Sequence, residues 1–199
     1  MTTQATKQSI RQRIIALRQQ MAEDERLRLS QAIAARIANM EGYRTANTVL
    51  AYMNFGAEFS SDIFVRQALR DGKRVLLPRV NRATNELDIY QVTDLLRDLA
   101  PGMWNISEPL VERCAKVDAL EEVDLILLPG VAFGCDGARL GYGGGFYDKL
   151  LSRLTHCPAL VAGAYSMQVI GGIPLEANDR KVEWLVTENE TIHCAALGR

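Results

Sequence analysis

This sequence has few histidines and no regularly spaced cysteine motif. It contains two histidines, His156 and His193, and no G-x-S-x-G elbow. Its cysteines form no C-x-x-C pair and stand at Cys114, Cys135, Cys157 and Cys194. Zinc sites and disulfide frameworks need regular spacings, so we expect free thiols. A serine or cysteine hydrolase is disfavoured because its base would normally be a histidine.

The chain also lacks an excess of charge and any long apolar run. Its formal net charge is -1 and its pI is near 6.2, which gives no general attraction to nucleic acid or an anionic membrane. No apolar run approaches the roughly 20 residues needed to span a bilayer, and the N-terminus has no hydrophobic signal region. We therefore expect a cytoplasmic monomer that binds a small soluble molecule, and neither nucleic acid nor a membrane.

What is present is an alternation of short apolar runs and amphipathic segments. Hydrophobic periodicity predicts helices at Lys7 to Met21, about Asp24 to Met40, Asp62 to Arg70, and Phe146 to Leu154. Short apolar runs predict buried strands at Val49 to Tyr52, Lys73 to Leu77, Leu87 to Val92, Val123 to Leu128, Ala159 to Ala164, and Trp184 to Thr187. Between them we expect a helical turn at Asp94 to Leu99, a loop at Gly102 to Pro109 and a polar turn at Asn178 to Lys181.

This order predicts an α/β fold. Strands without polar alternation, separated by helices, are typical of a parallel sheet covered on both faces. A chain of 199 residues is long for one minimal domain and short for two. We expect one domain over residues 1–199: a three-layer sandwich with a mainly parallel central sheet, helices on both faces, and N-terminal helices over residues 4–41 packed on the α/β core.

Local residue preferences set the expected ends of several elements. Gly42 is expected to end the second helix, and Pro78 to close the strand that begins at Lys73. Either Ser60 or Ser61 is expected to cap the next helix, because a hydroxyl there can accept a free amide hydrogen.

A glycine-rich stretch from Gly134 to Lys149 follows the strand that ends at Leu128. Glycines let several backbone N–H groups turn toward one point, and a following helix adds its positive end, so the natural guest is an anion such as phosphate. Arg139 is expected within this loop. Asp148, just inside the helix, could face a magnesium ion carried by a nucleotide.

The stretch matches no standard nucleotide motif. It lacks the Gly-Lys-Ser/Thr of a Walker A loop, and Phe146 stands where a dinucleotide fingerprint requires its third glycine. One alternative is a set of tight turns without a ligand. Another is a nucleophilic role for Cys135, although nothing nearby in sequence would lower the pKa of its thiol.

Three cations share one direction on the first predicted helix. Lys7, Arg11 and Arg18 lie roughly 70° from the centre of the apolar stripe, so they flank the buried seam and can reach into a cleft. The stripe itself consists of Ile10, Ile14, Leu17 and Met21. The alternative for the cations is a solvated basic face.

A second loop, Met53 to Phe59, follows another predicted strand. Ligands of parallel sheets bind beyond the carboxyl ends of the strands, so this loop and the glycine loop are expected to face one crevice. Glu58 would there bind hydrogen-bond donors of a substrate, or lie exposed without a role. Trp104 could stack on a flat heterocycle or pack on the core.

Several segments together resemble the signature of the 5-formyltetrahydrofolate cyclo-ligase family, also called methenyltetrahydrofolate synthetase. They are Leu128 to Phe133, Gly137 to Asp148, the pair Lys7 and Arg11, Ile106 to Pro109, and Asp179 to Val182. They match in the same order, so the similarity covers nearly the whole chain.

The resemblance implies an activity and a set of site residues. The family converts 5-formyltetrahydrofolate to 5,10-methenyltetrahydrofolate with ATP and Mg²⁺, giving ADP and phosphate. By resemblance, Lys7 and Arg11 contact ATP. The implied ATP-binding segment is Arg139, Leu140, Gly141, Tyr142, Gly143, Gly144, Gly145, Phe146 and Tyr147. Asp148 and Asp179 are implied as magnesium carboxylates, Met53, Glu58 and Trp104 as folate contacts, and Arg139, Lys7 and Glu58 as catalytic residues.

The sequence departs from the family at the glycine loop. Many members carry a cation between the glycines, whereas this chain has Gly143 to Gly145, and Phe146 replaces a frequent tyrosine. Arg139 and the N-terminal pair would then supply more of the positive charge. Phosphoryl transfer needs charge neutralisation and no protein nucleophile, which suits the scarcity of histidine. The alternatives are a phosphosugar isomerase or transferase of similar fold and a non-catalytic folate or nucleotide sensor.

Overall fold

An eight-stranded sheet forms the centre of the molecule. The computed structural model describes residues 3–176 and 179–194. Its strands are β1 (Thr48–Leu50), β2 (Arg74–Asn81), β3 (Glu86–Val92), β4 (Leu99–Pro101), β5 (Ser107–Pro109), β6 (Ala115–Val117), β7 (Leu125–Leu127), β8 (Ala132–Phe133), β9 (Arg139–Leu140), β10 (Ala159–Gly163), β11 (Trp184–Val186) and β12 (Thr191–His193). The sheet order is β12-β11-β10-β7-β1-β2-β3-β6, and β4-β5 and β8-β9 form separate pairs.

The sheet is mainly parallel, as predicted. Strands β11, β10, β7, β1 and β2 run parallel to one another, and β3, β6 and β12 join antiparallel at the two edges. Strands β1 and β7 are buried at every position. Burial on both faces explains their apolar sequences without alternation.

Helices cover both faces of this sheet. They are α1 (Thr3–Gln20), α2 (Glu23–Asn39), α3 (Glu41–Thr45), α4 (Ser61–Arg70), α5 (Leu95–Asp98) and α6 (Phe146–Ser152), with 3-10 turns at Met103–Asn105 and Ser166–Gln168. On one face, α2 and α4 pack through Ile33, Ile37 and Phe64. On the other, α6 packs through Leu150 and Leu151. The molecule is therefore the predicted three-layer α/β sandwich.

Helix α1 packs on the β8–β9 hairpin. Ile14 forms a small apolar cluster there with Val131, Ala138 and Leu140. The predicted seam is wrong in part, since Leu17 is 38% exposed, whereas Lys7 and Arg18 are buried. The helix has turned its row of cations toward the protein because their polar ends find partners in the loops beyond the sheet.

Pro78 does not close its strand, contrary to expectation. Strand β2 continues to Asn81, pairing with β3 through Pro78. Its pairing with β1 ends at Leu76, and the amide of Val80 points to Glu108, on the side away from β3. The missing N–H of Pro78 therefore faces the side where β1 has already stopped, and no ladder bond is lost.

Three further boundaries differ from the sequence predictions. Gly42 lies inside α3, since the chain re-enters a helix after α2 ends at Asn39. Ser60 occupies the N-cap position of α4 without a side-chain bond, and the Ser61 hydroxyl donates to the Tyr52 carbonyl. The expected loop from Gly102 to Pro109 contains β5, which pairs with β4.

The remaining predicted strands and helices are present with shifts of a few residues at their ends. Of the polar turn predicted at Asn178 to Lys181, Asn178 lies outside the described residues. Within the described residues, no helix combines the length and apolar character needed to cross a membrane.

Candidate functional site

The glycine-rich stretch folds as two units. Its first half turns between β8 and β9, and only residues 141–145 form the loop that precedes α6. Arg139 therefore lies in β9, not in the loop as predicted, because Ala132 and Phe133 pair with Leu140 and Arg139. Gly145 is the N-cap of α6 with φ of 66°, a left-handed conformation that suits glycine.

Arg139 and Asp148 form an ion pair beside this loop. The Arg139 Nη2 donates to Asp148 Oδ1 at 2.6 Å, and its Nη1 donates to the Pro129 carbonyl at 3.4 Å. The Arg139 residue is 8% exposed. Its Nε has no hydrogen-bond partner among the described residues. This buried cation can therefore donate one more hydrogen bond to an anionic oxygen.

The cations of α1 bind the glycine loop and the segment that contains Glu176 and Asp179. Lys7 Nζ lies 3.0 Å from both Glu176 Oε1 and Asp179 Oδ2. Arg11 Nε donates to the Gly141 carbonyl at 2.8 Å. Arg18 Nη2 donates to the Tyr142 hydroxyl at 2.6 Å. One face of α1 thus supplies the positive charge that the glycines themselves lack.

Lys7 and Asp179 strengthen each other's charged forms. Burial lowers the pKa of Lys7, but the bonds and charges of Asp179 and Glu176 outweigh it and raise the pKa. Burial raises the pKa of Asp179, but the Glu176 amide, Lys7 and the charge of Arg139 outweigh it and lower the pKa. Both groups remain ionised near neutral pH, so the site presents cations and carboxylates side by side.

Glu58 is enclosed between the two loops. It is 5% exposed, and its Oε2 accepts the Phe55 amide hydrogen at 2.8 Å. Burial raises the pKa of Glu58, against the opposing effects of the Phe55 amide, the Arg18 charge and the Tyr142 hydroxyl. The Phe55 and Tyr142 rings meet edge to face with centroids 6.4 Å apart. The 53–59 loop and the glycine loop therefore share one contact region, as the strand ends predicted.

Tyrosine hydroxyls surround this carboxylate. Burial and the charge of Glu58 raise the pKa of Tyr52 and of Tyr147. The same two effects raise the pKa of Tyr142 to about 12. The charge of Arg139 also acts on Tyr147. All three phenols stay protonated at neutral pH and can donate hydrogen bonds.

Trp104 and Met53 lie at the edges of this region. Trp104 is 58% exposed, adopts φ of 56°, and contacts the ring of Phe146 at 6.4 Å between centroids. It does not pack in the core, so its indole face is available at the start of α6. Met53 is half-buried against the core cluster of the α2 face.

The carboxylates fit a magnesium ion carried by a nucleotide better than a metal held by protein alone. No group of three or more metal-binding side chains occurs in the part of the chain that the structure describes. Asp148 and Asp179 each pair with a cation, and Arg139 acts on both. Magnesium at nucleotide sites commonly takes one or two carboxylates together with phosphate oxygens and waters.

Two residues of the site were not assigned from the sequence. Arg18 was noted for its helical direction but given no role, and Glu176 was not noted. The spacing of Lys7, Arg11 and Arg18 by four and seven was the available signal. Glu176 joins the site only through the chain's return near Asp179, which no local pattern reveals.

Comparison with known proteins identifies the family. A family model for 5-formyltetrahydrofolate cyclo-ligases matches residues 3–188. The chain belongs to the 5-formyltetrahydrofolate cyclo-ligase family. Among curated cyclo-ligases, a probable one from Caenorhabditis elegans is 29% identical over 94% of both chains, and the Mus musculus protein is 27% identical over 94% of this chain and 96% of its own.

Solved structures agree with this cyclo-ligase assignment. The Aquifex aeolicus 5,10-methenyltetrahydrofolate synthetase has a TM-score of 0.82 and 32% identity, covering 95% of this chain and 93% of that one. The Mycoplasma pneumoniae 5,10-methenyltetrahydrofolate synthetase has a TM-score of 0.73 at 22% identity, covering 92% of this chain and 98% of that one. The second likeness supports the fold alone.

Proposed function

We propose that this protein cyclises 5-formyltetrahydrofolate to 5,10-methenyltetrahydrofolate, consuming ATP and releasing ADP and phosphate. The observation that carries the proposal is a glycine loop with cations around it. Arg11 binds the Gly141 carbonyl, and Arg139 pairs with Asp148 in the helix that follows the loop. Lys7 binds Asp179, on which the charge of Arg139 also acts, and Tyr142 of the loop interacts with Glu58. An anion site and a site for hydrogen-bond donors thus share a boundary. Membership of the cyclo-ligase family and the likeness to named synthetases support the same reaction.

Each substrate has a proposed place. The triphosphate lies on residues 141–145, where Lys7, Arg11 and Arg139 neutralise its charge. The pterin lies against Met53, Glu58 and Trp104, with Glu58 accepting hydrogen bonds from the ring N–H groups and the exposed indole stacking on its plane. Asp148 and Asp179 would hold a Mg²⁺, which would supply charge neutralisation at the phosphate oxygens.

The chemistry follows from the poor leaving group in the substrate. Closing the ring requires N10 to attack the formyl carbon and expel its oxygen, which leaves poorly as hydroxide. In-line transfer of the γ-phosphoryl group to the formyl oxygen converts that oxygen into a phosphate ester. N10 then attacks the carbon and loses its proton to water, the C–O bond breaks, and inorganic phosphate carries away the oxygen and its electron pair. Lys7 and Arg139 stabilise the charge that develops on the transferring group.

The ion pairs of the site suggest how it accepts this charge. Lys7 and Arg139 are compensated here by Asp179, Glu176 and Asp148. With a nucleotide and Mg²⁺ bound, the cations would pair with phosphate and the carboxylates would hold the metal, so no buried charge would be left alone. The exchange favours joint binding of nucleotide and metal over binding of either by itself.

A direct assay tests the proposal. The protein is mixed with 5-formyltetrahydrofolate, ATP and Mg²⁺, and the methenyl product is followed by its absorbance. We expect product that requires all three components, with one ADP formed per product. Arg13→Met, an exposed change on the outer side of α1, should leave the rate unchanged. Absence of ATP-dependent product at high enzyme concentration would reject the function.

A further inference from the structure

Arg18 is a buried cation with incomplete hydrogen bonding. The residue is 2% exposed. Its Nη2 donates to the Tyr142 hydroxyl at 2.6 Å, while its Nε and Nη1 have no partner among the described residues. Leaving buried donors unsatisfied lowers the stability of the folded protein. An apolar side chain would fill this buried position without unsatisfied donors, which points to a role for the guanidinium itself.

Tyr142 is the residue through which the Arg18 guanidinium can have this role. Its backbone belongs to the glycine loop, next to the Gly141 carbonyl that Arg11 binds. Its ring contacts Phe55 of the 53–59 loop, and the ring also lies 5.9 Å from the Arg18 guanidinium carbon. Its hydroxyl accepts from Arg18, so its own proton is free to point toward Glu58. A single side chain therefore touches both loops.

We propose that Arg18 is a positioning residue that couples the two ligand loops: it fixes Tyr142 so that binding of the nucleotide and binding of the pterin strengthen each other. The proposal rests on the proposed function and deepens it. Arg18 touches neither substrate. It acts through the Tyr142 hydroxyl, and the glycine loop and the Glu58 loop therefore order together.

The electrostatics of the cluster agree with this role. The charge of Arg18 opposes the rise that burial causes in the pKa of Glu58, and it opposes the same rise for Tyr142. Arg18 thus favours an ionised Glu58 while it holds the tyrosine beside it. When the nucleotide orders residues 141–145, it also holds Tyr142 against Glu58. Ordering the 53–59 loop then takes less of the free energy of pterin binding.

A binding cycle without turnover tests the coupling. Calorimetry measures the Kd of 5-formyltetrahydrofolate alone and with a saturating non-hydrolysable ATP analogue plus Mg²⁺, and then the reverse pair. In the unaltered protein we expect each ligand to tighten the other about tenfold, within the ~5–150-fold range usual for coupled sites. Arg18→Met and Tyr142→Phe should each reduce this mutual tightening to below about twofold. The double variant should show no further reduction, since the two groups act as one unit.

Several controls keep this test decisive. Arg13→Met removes an exposed cation from the same helix and should keep the full coupling. Tyr142→Phe removes one hydroxyl oxygen and leaves Arg18 in place, so it answers the question even where Arg18→Met does not fold, as judged by thermal melting. Arg18→Lys keeps a charge but has one nitrogen on a different stem, and we expect it to restore part of the coupling.

The outcomes separate the two proposals. Failure of the unaltered protein to bind either ligand would reject the proposed function, and the coupling with it. Binding of both ligands with no mutual effect would reject the coupling alone. Equal coupling in the unaltered protein and in Tyr142→Phe would show that the Arg18–Tyr142 bond is not its cause.

Discussion

At the scale of single residues, the charged groups of the site form ion pairs in which one partner is more exposed to solvent than the other. Arg139 is 5% exposed at its side chain, whereas Asp148 is 31% exposed. Removing the carboxylate leaves a nearly buried guanidinium short of one acceptor, and removing the guanidinium leaves a carboxylate that water can reach. The two deletions should therefore differ in what they do to catalysis.

Arg139→Met should lower kcat by about one to three orders of magnitude at saturating ATP and Mg²⁺, because a charge-stabilising donor is lost. Asp148→Asn should lower the rate as well, but part of the loss should be recovered at higher Mg²⁺, because a metal carboxylate is weakened. Magnesium titrations of the initial rate distinguish the two. Asp62→Asn, which alters an exposed pair with Arg66 on α4, is the control. Near-normal kinetics in both variants would mean that this pair is only structural.

Asp98 is a buried carboxylate outside the site and should control acid stability. Its Oδ2 accepts from the Thr93 amide and hydroxyl and from the Asp94 amide. Burial raises the pKa of Asp98, but Arg97 and these bonds outweigh it and hold the pKa well below the ordinary 3.8. The stabilisation is therefore complete above about pH 4 and is lost as pH falls toward the folded-state pKa.

Asp98→Asn should lower the free energy of unfolding by about 2 kcal/mol at pH 7. The Arg97 side chain is 60% exposed, so most of this figure belongs to the amide bonds and not to the ion pair. Urea denaturation at pH 7 and pH 3 should show a smaller difference at pH 3. Asp118→Asn, at an 85% exposed carboxylate, should change little at either pH. An effect of Asp98→Asn that is equal at both pH values would contradict the assignment.

At the scale of elements, the sequence predicted the helices and strands that have a periodic apolar pattern. It missed features that depend on residues distant along the chain. The apolar strands and the amphipathic α2 follow from local pattern, and Asp94 does begin a helical turn by accepting amide hydrogens of Leu96 and Arg97. The buried face of α1 followed only in part: Ile14 is buried as predicted, but Leu17 is exposed. The partners that bury Lys7 and Arg18 lie far along the chain. Strand β9 was missed because two residues carry no periodicity.

The glycine loop offers a sharp test at this scale. Gly143 has φ of 106°, and a Cβ there would lie 3.6 Å from an Arg11 nitrogen. Gly143→Ala should therefore strain the backbone of the loop, because an alanine rarely adopts this φ, while its methyl group makes only an ordinary contact with Arg11. We expect the KM for ATP to rise at least tenfold with a melting temperature within a few degrees of the unaltered protein.

Gly171→Ala is the matched control for that variant. A Cβ at Gly171 meets nothing within 4 Å, so kinetics and melting temperature should both stay unchanged. If Gly143→Ala binds ATP as the control does, the conformation of residue 143 does not matter for the nucleotide. If Gly143→Ala instead lowers the melting temperature strongly with an unchanged KM, the loop contributes stability and not binding.

At the scale of the whole molecule, the strand order brings the two loops together. Strands β1 and β7 are neighbours at the centre of the sheet and run parallel. The 53–59 loop and the segment that leads from β7 through the β8–β9 hairpin to residues 141–145 therefore leave at the same edge. The sequence predicted both strand ends but could not predict that these strands are adjacent, since β2 to β6 intervene along the chain. Arrangement of non-consecutive strands depends on packing across the entire core.

Helix α1 packs over the site, outside the two large apolar clusters that cover the faces of the sheet. Its buried face consists of Ile14 and two cations, whereas β1 and β7 lie between two large apolar clusters. Local opening of α1 therefore exposes little apolar surface, and opening of the sheet exposes much. In the free protein we expect amides of α1 and residues 141–145 to exchange with deuterium faster than those of β1 and β7.

Nucleotide binding should slow hydrogen exchange at α1 and at residues 141–145 and leave the far edge of the sheet unchanged. A nucleotide that engages Lys7 and Arg11 ties α1 to the glycine loop, so a non-hydrolysable ATP analogue with Mg²⁺ should slow exchange at both by at least tenfold. Strand β12, at the far edge of the sheet, should not respond. Mass spectrometry of peptides from Thr3–Gln20 and from residues 141–145 gives the measurement. Protection confined to β12, or spread evenly over the molecule, would mean that the nucleotide does not bind beneath α1.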